Sequence, residues 1–415
     1  IKCVIIILIK IASKKVSLLE KFEKIVLDNG LKVFVKREAT QNVGIGVGIK
    51  IGSAYEPSRI RGISHLIEHM LFKSNRKYTY AEMSKIVEFS GGDWNGSTYW
   101  DATIINAEVI SGNAVRVSDI LFHMITNDVY KEDEFENEKN VILTEINNVL
   151  NDPSARIYQL CTQSLFGKSD LGDPITGYRE TVENITLDDL INFKAKYYLA
   201  NNMILTLIGG INDEKLEKIL KIFNKIEEGK VRHKKPTNSD PMPIIEKMNT
   251  ANQCYLCYSW RIKRENLFET IILETLLTLG TYSMLYQELR EKRGLGYSFG
   301  CINDFIENIG YIGIVIEGVF FNREEETKDI LLNILDRIKF GDLEEDFIAG
   351  KKNHIRFILE KFKNFYGERA EETTRRALLG IEMESLDFSN MILNMDWTNI
   401  GNVVQRGIFS EILPK

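Results

Sequence analysis

Val43-Gly44-Ile45-Gly46-Val47-Gly48-Ile49-Lys50 is the stretch on which the fold turns, because its alternation has the period of two that belongs to a strand. Leu31-Lys32-Val33-Phe34-Val35-Lys36, just before it, reads as another strand. From about residue 60 the apolar positions recur at helical spacing instead, and this first half closes on a strand from Met203 to Ile208, ended by Gly209-Gly210. The order then repeats: a strand near 253–262, helices near 266–278 and 283–292, a strand pair through about 316, and helices to about 381. Strand runs followed by blocks of helices predict an α+β protein of two similar domains. Each would be a mainly antiparallel sheet with helices on one face, in contrast to a doubly wound parallel sheet.

The polar stretch from Glu228 to Pro241 separates the halves. It sets expected boundaries of 18–228 for the first domain, 229–242 for a linker and 243–415 for the second. Residues 1–17 form an N-terminal extension. Residues 1–12 are apolar with Lys2 and Lys10 embedded, which favours an upstream extension over a secretory leader. At the other end the chain stops at Pro414-Lys415 before the hydrophobic strand expected to complete the second domain, so truncation is expected there.

A chain of 415 residues exceeds what one hydrophobic core usually fills, in keeping with two domains. Its net charge of −6 provides no basic field for nucleic acid. Five cysteines without regular spacing do not form a disulfide framework and point to a reducing, cytoplasmic setting. Cys254 and Cys257 lie in a strand-like run that would turn them to opposite faces, against metal or redox use as a pair. No apolar run in the body of the chain is long enough to span a membrane.

The chemistry concentrates in His65-Leu66-Ile67-Glu68-His69. Ile63, Leu66, Ile67, Met70 and Leu71 form the buried stripe of a helix, and His65, Glu68 and His69 fall off it. Histidines four apart project from one side of a helix, where both imidazoles can reach one Zn²⁺. Zinc lowers the pKa of bound water toward about 7, and a carboxylate placed like Glu68 can take its proton. With five histidines in the chain, this H-x-x-E-H order is expected by accident roughly 0.005 times. Zinc needs a further ligand. From Glu134 to Leu150 a predicted helix puts Glu138, Ile142, Glu145 and Val149 on one stripe. Spacing alone leaves a metal-facing pair and a solvated acidic face equally open.

With those residues in view, the sequence resembles the pitrilysin or insulinase family of inverted-zincin peptidases, in its short form similar to mitochondrial processing peptidase subunits. Further agreement comes from Leu27-Asp28-Asn29-Gly30-Leu31, Gly91-Gly92-Asp93-Trp94-Asn95-Gly96 and Asn202 to Gly209. In that family a ligand glutamate follows the metal helix by about 76 residues, with a second glutamate seven before it, and Glu145 and Glu138 match both positions. The resemblance implies that Glu145 is the third ligand of one Zn²⁺ per chain and that Glu138 orients a ligand or tunes the water. It implies that Asn95 and Gly96 lie in a strand that pairs with bound peptide, glycine loosening that edge where relatives carry alanine. Leu289-Arg290-Glu291-Lys292-Arg293-Gly294-Leu295-Gly296-Tyr297-Ser298 looks like the family's arginine and tyrosine segment. By that likeness Tyr297 would stabilise the oxyanion and Arg290 would hold the substrate backbone. The turn before this segment, Leu279-Gly280-Thr281-Tyr282-Ser283, departs from the family's glycine-rich pattern.

The resulting expectation is a zinc metalloendopeptidase acting on peptides or presequences. It would work as a homodimer in which the zinc domain of one subunit faces the arginine and tyrosine domain of the other, a heterodimer being the less favoured assembly. The alternatives are a non-catalytic or structural subunit and a chamber that binds peptide without turnover.

Overall fold

In a computed structural model, residues 22–415 are described; the expectation for residues 1–17 lies outside them. The first sheet contains β1 (Glu23–Val26), β2 (Lys32–Arg37), β3 (Asn42–Ile49), β4 (Asp93–Thr98), β5 (Thr103–Ile110) and β6 (Met203–Gly209), in the order β1-β2-β6-β3-β5-β4. The second contains β7 (Ile245–Met248), β8 (Cys254–Lys263), β9 (Ser298–Ile306), β10 (Ile309–Val319) and β11 (Ile408–Pro414), in the order β7-β11-β8-β10-β9. With β1 set aside, the two orders are the same topology. The sheets are mixed: β2 runs parallel to β6 and β7 to β11, and the remaining pairs are antiparallel.

Strand β11 corrects the expectation that the second domain lacks its closing strand. Ile408–Pro414 lies between β7 and β8 in the sheet interior. Ile408, Ile412 and Leu413 were too diluted by Ser410, Glu411 and Pro414 to stand out as a hydrophobic run. The segment expected to be a linker carries no regular element, but it is strapped to the first half. Lys234 Nζ reaches the Glu56 carbonyl and Asp170 Oδ1, both at 2.7 Å, and Thr237 N donates to Asp170 Oδ2 at 2.8 Å.

Helix α1 (Ile63–Leu71) packs against β4 and β5 and shares one core with Val43, Ile45, Val47 and Ile49 of β3. Helix α2 (Glu132–Asn151) lies beside α1, and α3 (Pro153–Phe166) follows it directly. Helices were expected on one face of each sheet; each sheet also has its other face covered, by a helix from the opposite half. Helix α3 packs on β8, β10 and β11, and α4 (Tyr366–Leu378) packs on β3, β5 and β6. The two exchanged helices occupy corresponding places in the duplicated order, each the third helix after the fourth strand of the shared topology.

The alternating glycines of β3 make the second contact possible. A Cβ on Gly44 would lie 1.8 Å from the Tyr366 carbonyl oxygen, and one on Gly46 would lie 2.7 Å from that of Ala370. Bare strand backbone lets α4 sit directly on the sheet.

Candidate metal centre

Helix α1 is aimed by its N-terminus. Gly62 adopts φ 95°, a left-handed conformation suited to glycine, and a Cβ there would meet the Thr176 carbonyl at 2.5 Å. Glu56, fully enclosed, accepts hydrogen bonds from Gly62 N and Ser64 N, each at 2.7 Å, satisfying two of the helix's unpaired amides. Burial pushes its carboxyl up to about 7 against the pull of those two amides. Sequence reading missed this cap, because its acceptor lies outside the adjoining Ncap position.

The helix presents His65, Glu68 and His69 toward α2, while Ile63, Leu66, Ile67, Met70 and Leu71 enter the core. The rings of His65 and His69 are 4.6 Å apart between centroids. His65 Nε2 lies 3.9 Å from Glu145 Oε2, and His69 Nε2 lies 3.8 Å from Glu145 Oε1. One ligand atom from each of the three residues falls within 4.8 Å of the others. Zinc bonds to nitrogen and oxygen of about 2.0–2.2 Å put tetrahedral ligands about 3.4 Å apart, so small side-chain movements would close this set on an ion.

Protonation states favour the same use. Burial, then the neighbouring His69, lowers the His65 pKa to about 3, leaving a neutral imidazole with a lone pair to give. His69 Nδ1 is 3.0 Å from Glu138 Oε2, a pairing that puts the proton on Nδ1 and the lone pair on Nε2. Lys73 Nζ holds the other oxygen of Glu138 at 2.7 Å. Glu138 is thus bonded to both His69 and Lys73.

Glu68 accepts a hydrogen bond from Thr98 Oγ1 at 2.6 Å. Burial raises its pKa, and Thr98 and His69 oppose that rise. Strand β4 runs alongside as the sheet edge, bonded to β5 and open on its other side among the described residues. Gly96 faces Glu68: a Cβ there would fall 2.9 Å from Glu68 Oε1 and 2.9 Å from the Phe72 ring. The glycine thus leaves room for the carboxylate. Asn95 is exposed on the opposite face of the strand.

Arg290 and Tyr297 are together, but in the second half. The predicted α-helix near 283–292 is instead a wide-turned π segment over Tyr286–Glu291, with Lys292 N bonding back to the Gln287 carbonyl at 3.1 Å. The Arg290 guanidinium stacks between the rings of Tyr286, at 5.0 Å, and Tyr297, at 4.8 Å, and its Nη1 donates to the Tyr297 carbonyl at 2.9 Å. Tyr297 is 70% exposed. Among the described residues no hydrogen bond or ion pair joins Arg290 or Tyr297 to His65, Glu68, His69 or Glu145.

A duplicated α+β fold whose first half carries an inverted His-x-x-Glu-His helix is the layout of the inverted-zincin class. Two models of one family match the chain: Insulinase (Peptidase family M16) over residues 32–178, and the Peptidase M16 inactive domain over residues 184–353. The chain belongs to the M16, or insulinase, family. It is 26% identical over 390 residues to an uncharacterized zinc protease of Bacillus subtilis, covering 92% of this chain and 94% of the relative. It is 28% identical over 404 residues to an uncharacterized zinc protease of Rickettsia felis, covering 95% and 96%. A crystal structure of a protease from Helicobacter pylori shares the fold with a TM-score of 0.86 at 21% identity, covering 96% of this chain and all of that one. No helix among the described residues is long and apolar enough to cross a membrane.

Proposed function

We propose that the protein is a zinc metalloendopeptidase that hydrolyses peptides held in extended form along β4. The observation that carries this reading is the convergence of His65, His69 and Glu145 with Glu68 beside them and an open strand edge next to Glu68. Zinc, when bound, supplies a Lewis acid that polarises the scissile carbonyl and acidifies water.

The chain's own residues would do the rest. His65, His69 and Glu145 hold the ion, and Glu138, fixed by Lys73, keeps His69 in the binding tautomer. Glu68, whose pKa burial raises, would accept the proton of the attacking water and return it to the leaving amine. An extended substrate adding to β4 would bond to the free backbone groups of that edge and pass Glu68 at Gly96.

Arg290 and Tyr297, which the family resemblance implies as groups for the substrate backbone and the oxyanion, lie together in the second half with Tyr297 exposed. We assign them to the site of a second subunit, which makes a homodimer with shared sites the preferred assembly over a heterodimer. The four described cysteines are buried free thiols, which supports a reducing, cytoplasmic setting.

The test is mass spectrometry of products from a mixed peptide library, with and without a chelator, for the parent protein and Glu68→Gln. Chelator-sensitive cleavage by the parent and none by a zinc-retaining Glu68→Gln is the expected result. Undiminished turnover in that variant refutes the mechanism. Peptide binding without cleavage by the parent would point to a binding chamber.

A further inference from the structure

The run Glu368-Arg369-Ala370-Glu371-Glu372-Thr373-Thr374-Arg375-Arg376 has the composition of a solvated helix, yet it lies in α4 between the two halves. Arg369, Glu372, Arg375 and Arg376 are buried there. Glu371 and Arg375, one turn apart, both turn to the β4–β5 hairpin of the other half. The Glu371 carboxylate accepts hydrogen bonds from Tyr99 OH at 3.2 Å, from Asn106 Nδ2 and from the Ser97 hydroxyl. Arg375 Nη1 lies 2.5 Å from Asp101 Oδ1 in the hairpin turn, and its guanidinium stacks 4.7 Å from the Tyr99 ring. Arg375 Nη2 anchors the pair to β9 through Asp304 Oδ1 at 3.3 Å and the Phe305 carbonyl at 3.2 Å.

Alternation along β4 gives these contacts their meaning. Ser97 points toward α4, while Gly96 and Thr98 point toward Glu68. The hairpin therefore has its catalytic face built by the first half and its back held by the second. Three donors on one enclosed carboxylate and a buried guanidinium leave that back little freedom to tilt.

We infer that Glu371 and Arg375 are positioning residues for the peptide: from the second half they set the orientation of the β4 edge relative to Glu68. Substrate affinity then depends on a helix that touches neither the peptide nor the zinc ligands. This rests on β4 as the docking strand, the reading given under the proposed function.

The test uses Glu68→Gln as the parent, so that binding is measured without turnover, and a fluorescein-labelled, unstructured β-casein fragment as the probe. Adding Glu371→Ala is expected to weaken binding about tenfold, equivalent to about 1.4 kcal/mol. Zinc content should stay at the parent level, since the three ligands lie on the other face of the sheet. A general loss of structure would instead release zinc along with peptide. Unchanged affinity in the zinc-loaded variant overturns this inference alone, whereas a parent that binds no peptide overturns the docking reading and this inference with it. Should the alanine variant not fold, Glu371→Gln keeps the volume and is followed by amide hydrogen exchange. Faster exchange over residues 93–98 with unaltered exchange over 203–209 is the expected result, and unaltered exchange in both segments overturns the inference.

Discussion

Replacing Gly44 with alanine should weaken the association of the two halves well beyond the effect of an ordinary surface methyl. The new Cβ would stand 1.8 Å from the Tyr366 carbonyl oxygen and 2.2 Å from its carbon. Carbon and oxygen in contact ordinarily keep about 3.3–3.6 Å, so the start of α4 must retreat by about 1.5 Å. Both obstructing atoms are backbone, and no rotamer change relieves them. A retreat of that size forfeits much of the dispersion contact between helix and sheet. It also strains the buried pairing of Arg369 with Glu38, at 2.5 Å, and Glu384, at 3.0 Å. Overpacking costs about 1–3 kcal/mol, and with these losses the upper end, about 3 kcal/mol, is expected. Urea unfolding followed by tryptophan fluorescence and far-ultraviolet circular dichroism measures it. Gly112, with nothing within 4 Å of its would-be Cβ, is the control, and its alanine variant should stay within about 0.5 kcal/mol of the parent. A Gly44→Ala protein as stable as the Gly112→Ala control would refute the account of the β3 glycines.

Other substitutions separate the roles at the metal centre. Glu145→Gln should release zinc more readily than Glu138→Gln, which is expected to lose about 10–100-fold in metal affinity through His69; metal analysis giving the opposite order would exchange their roles. Thr98→Val removes a hydrogen bond that lowers the Glu68 pKa. Since a base works only when deprotonated, activity lost as pH falls should then be lost at a higher pH, and an acid limb of kcat that stays in place counts against Glu68 as the base. Mixing inactive Glu68→Gln chains with inactive Tyr297→Phe chains should restore part of the activity if sites are shared between subunits. No recovery would argue for sites completed within one chain.

Much of the metal centre was legible because its residues follow local periods. His65, Glu68 and His69 stand off a helical apolar stripe; Glu138 and Glu145 share one face of α2, but spacing left that pair open between metal and solvent, and only the family resemblance singled it out. The duplicated order of elements was legible for the same reason. What escaped depends on packing between distant segments. Glu371 and Arg375 stand in a charged run with no local sign of burial, yet α4 packs on β3, β5 and β6 of the other half and Arg375 is buried there. Glu56 capped a helix from six residues upstream of Gly62, beyond the window in which caps are sought. His233, read as a linker residue, is stacked on Tyr197 and in ring contact with Tyr55, which no local pattern foretells.

The exchange of α3 and α4 has a consequence for synthesis. When β6 is complete at Gly209, the first sheet has all its strands, yet the helix that covers its glycine face ends at Leu378. At about 5–20 residues per second, a ribosome needs on the order of 8–35 s to deliver it. Throughout that interval the nascent chain carries an uncovered sheet, and α3 has no strands of the second half to pack on. Native closure of either half is therefore a late event in translation, and factors that shield nascent chains would act most usefully in that window.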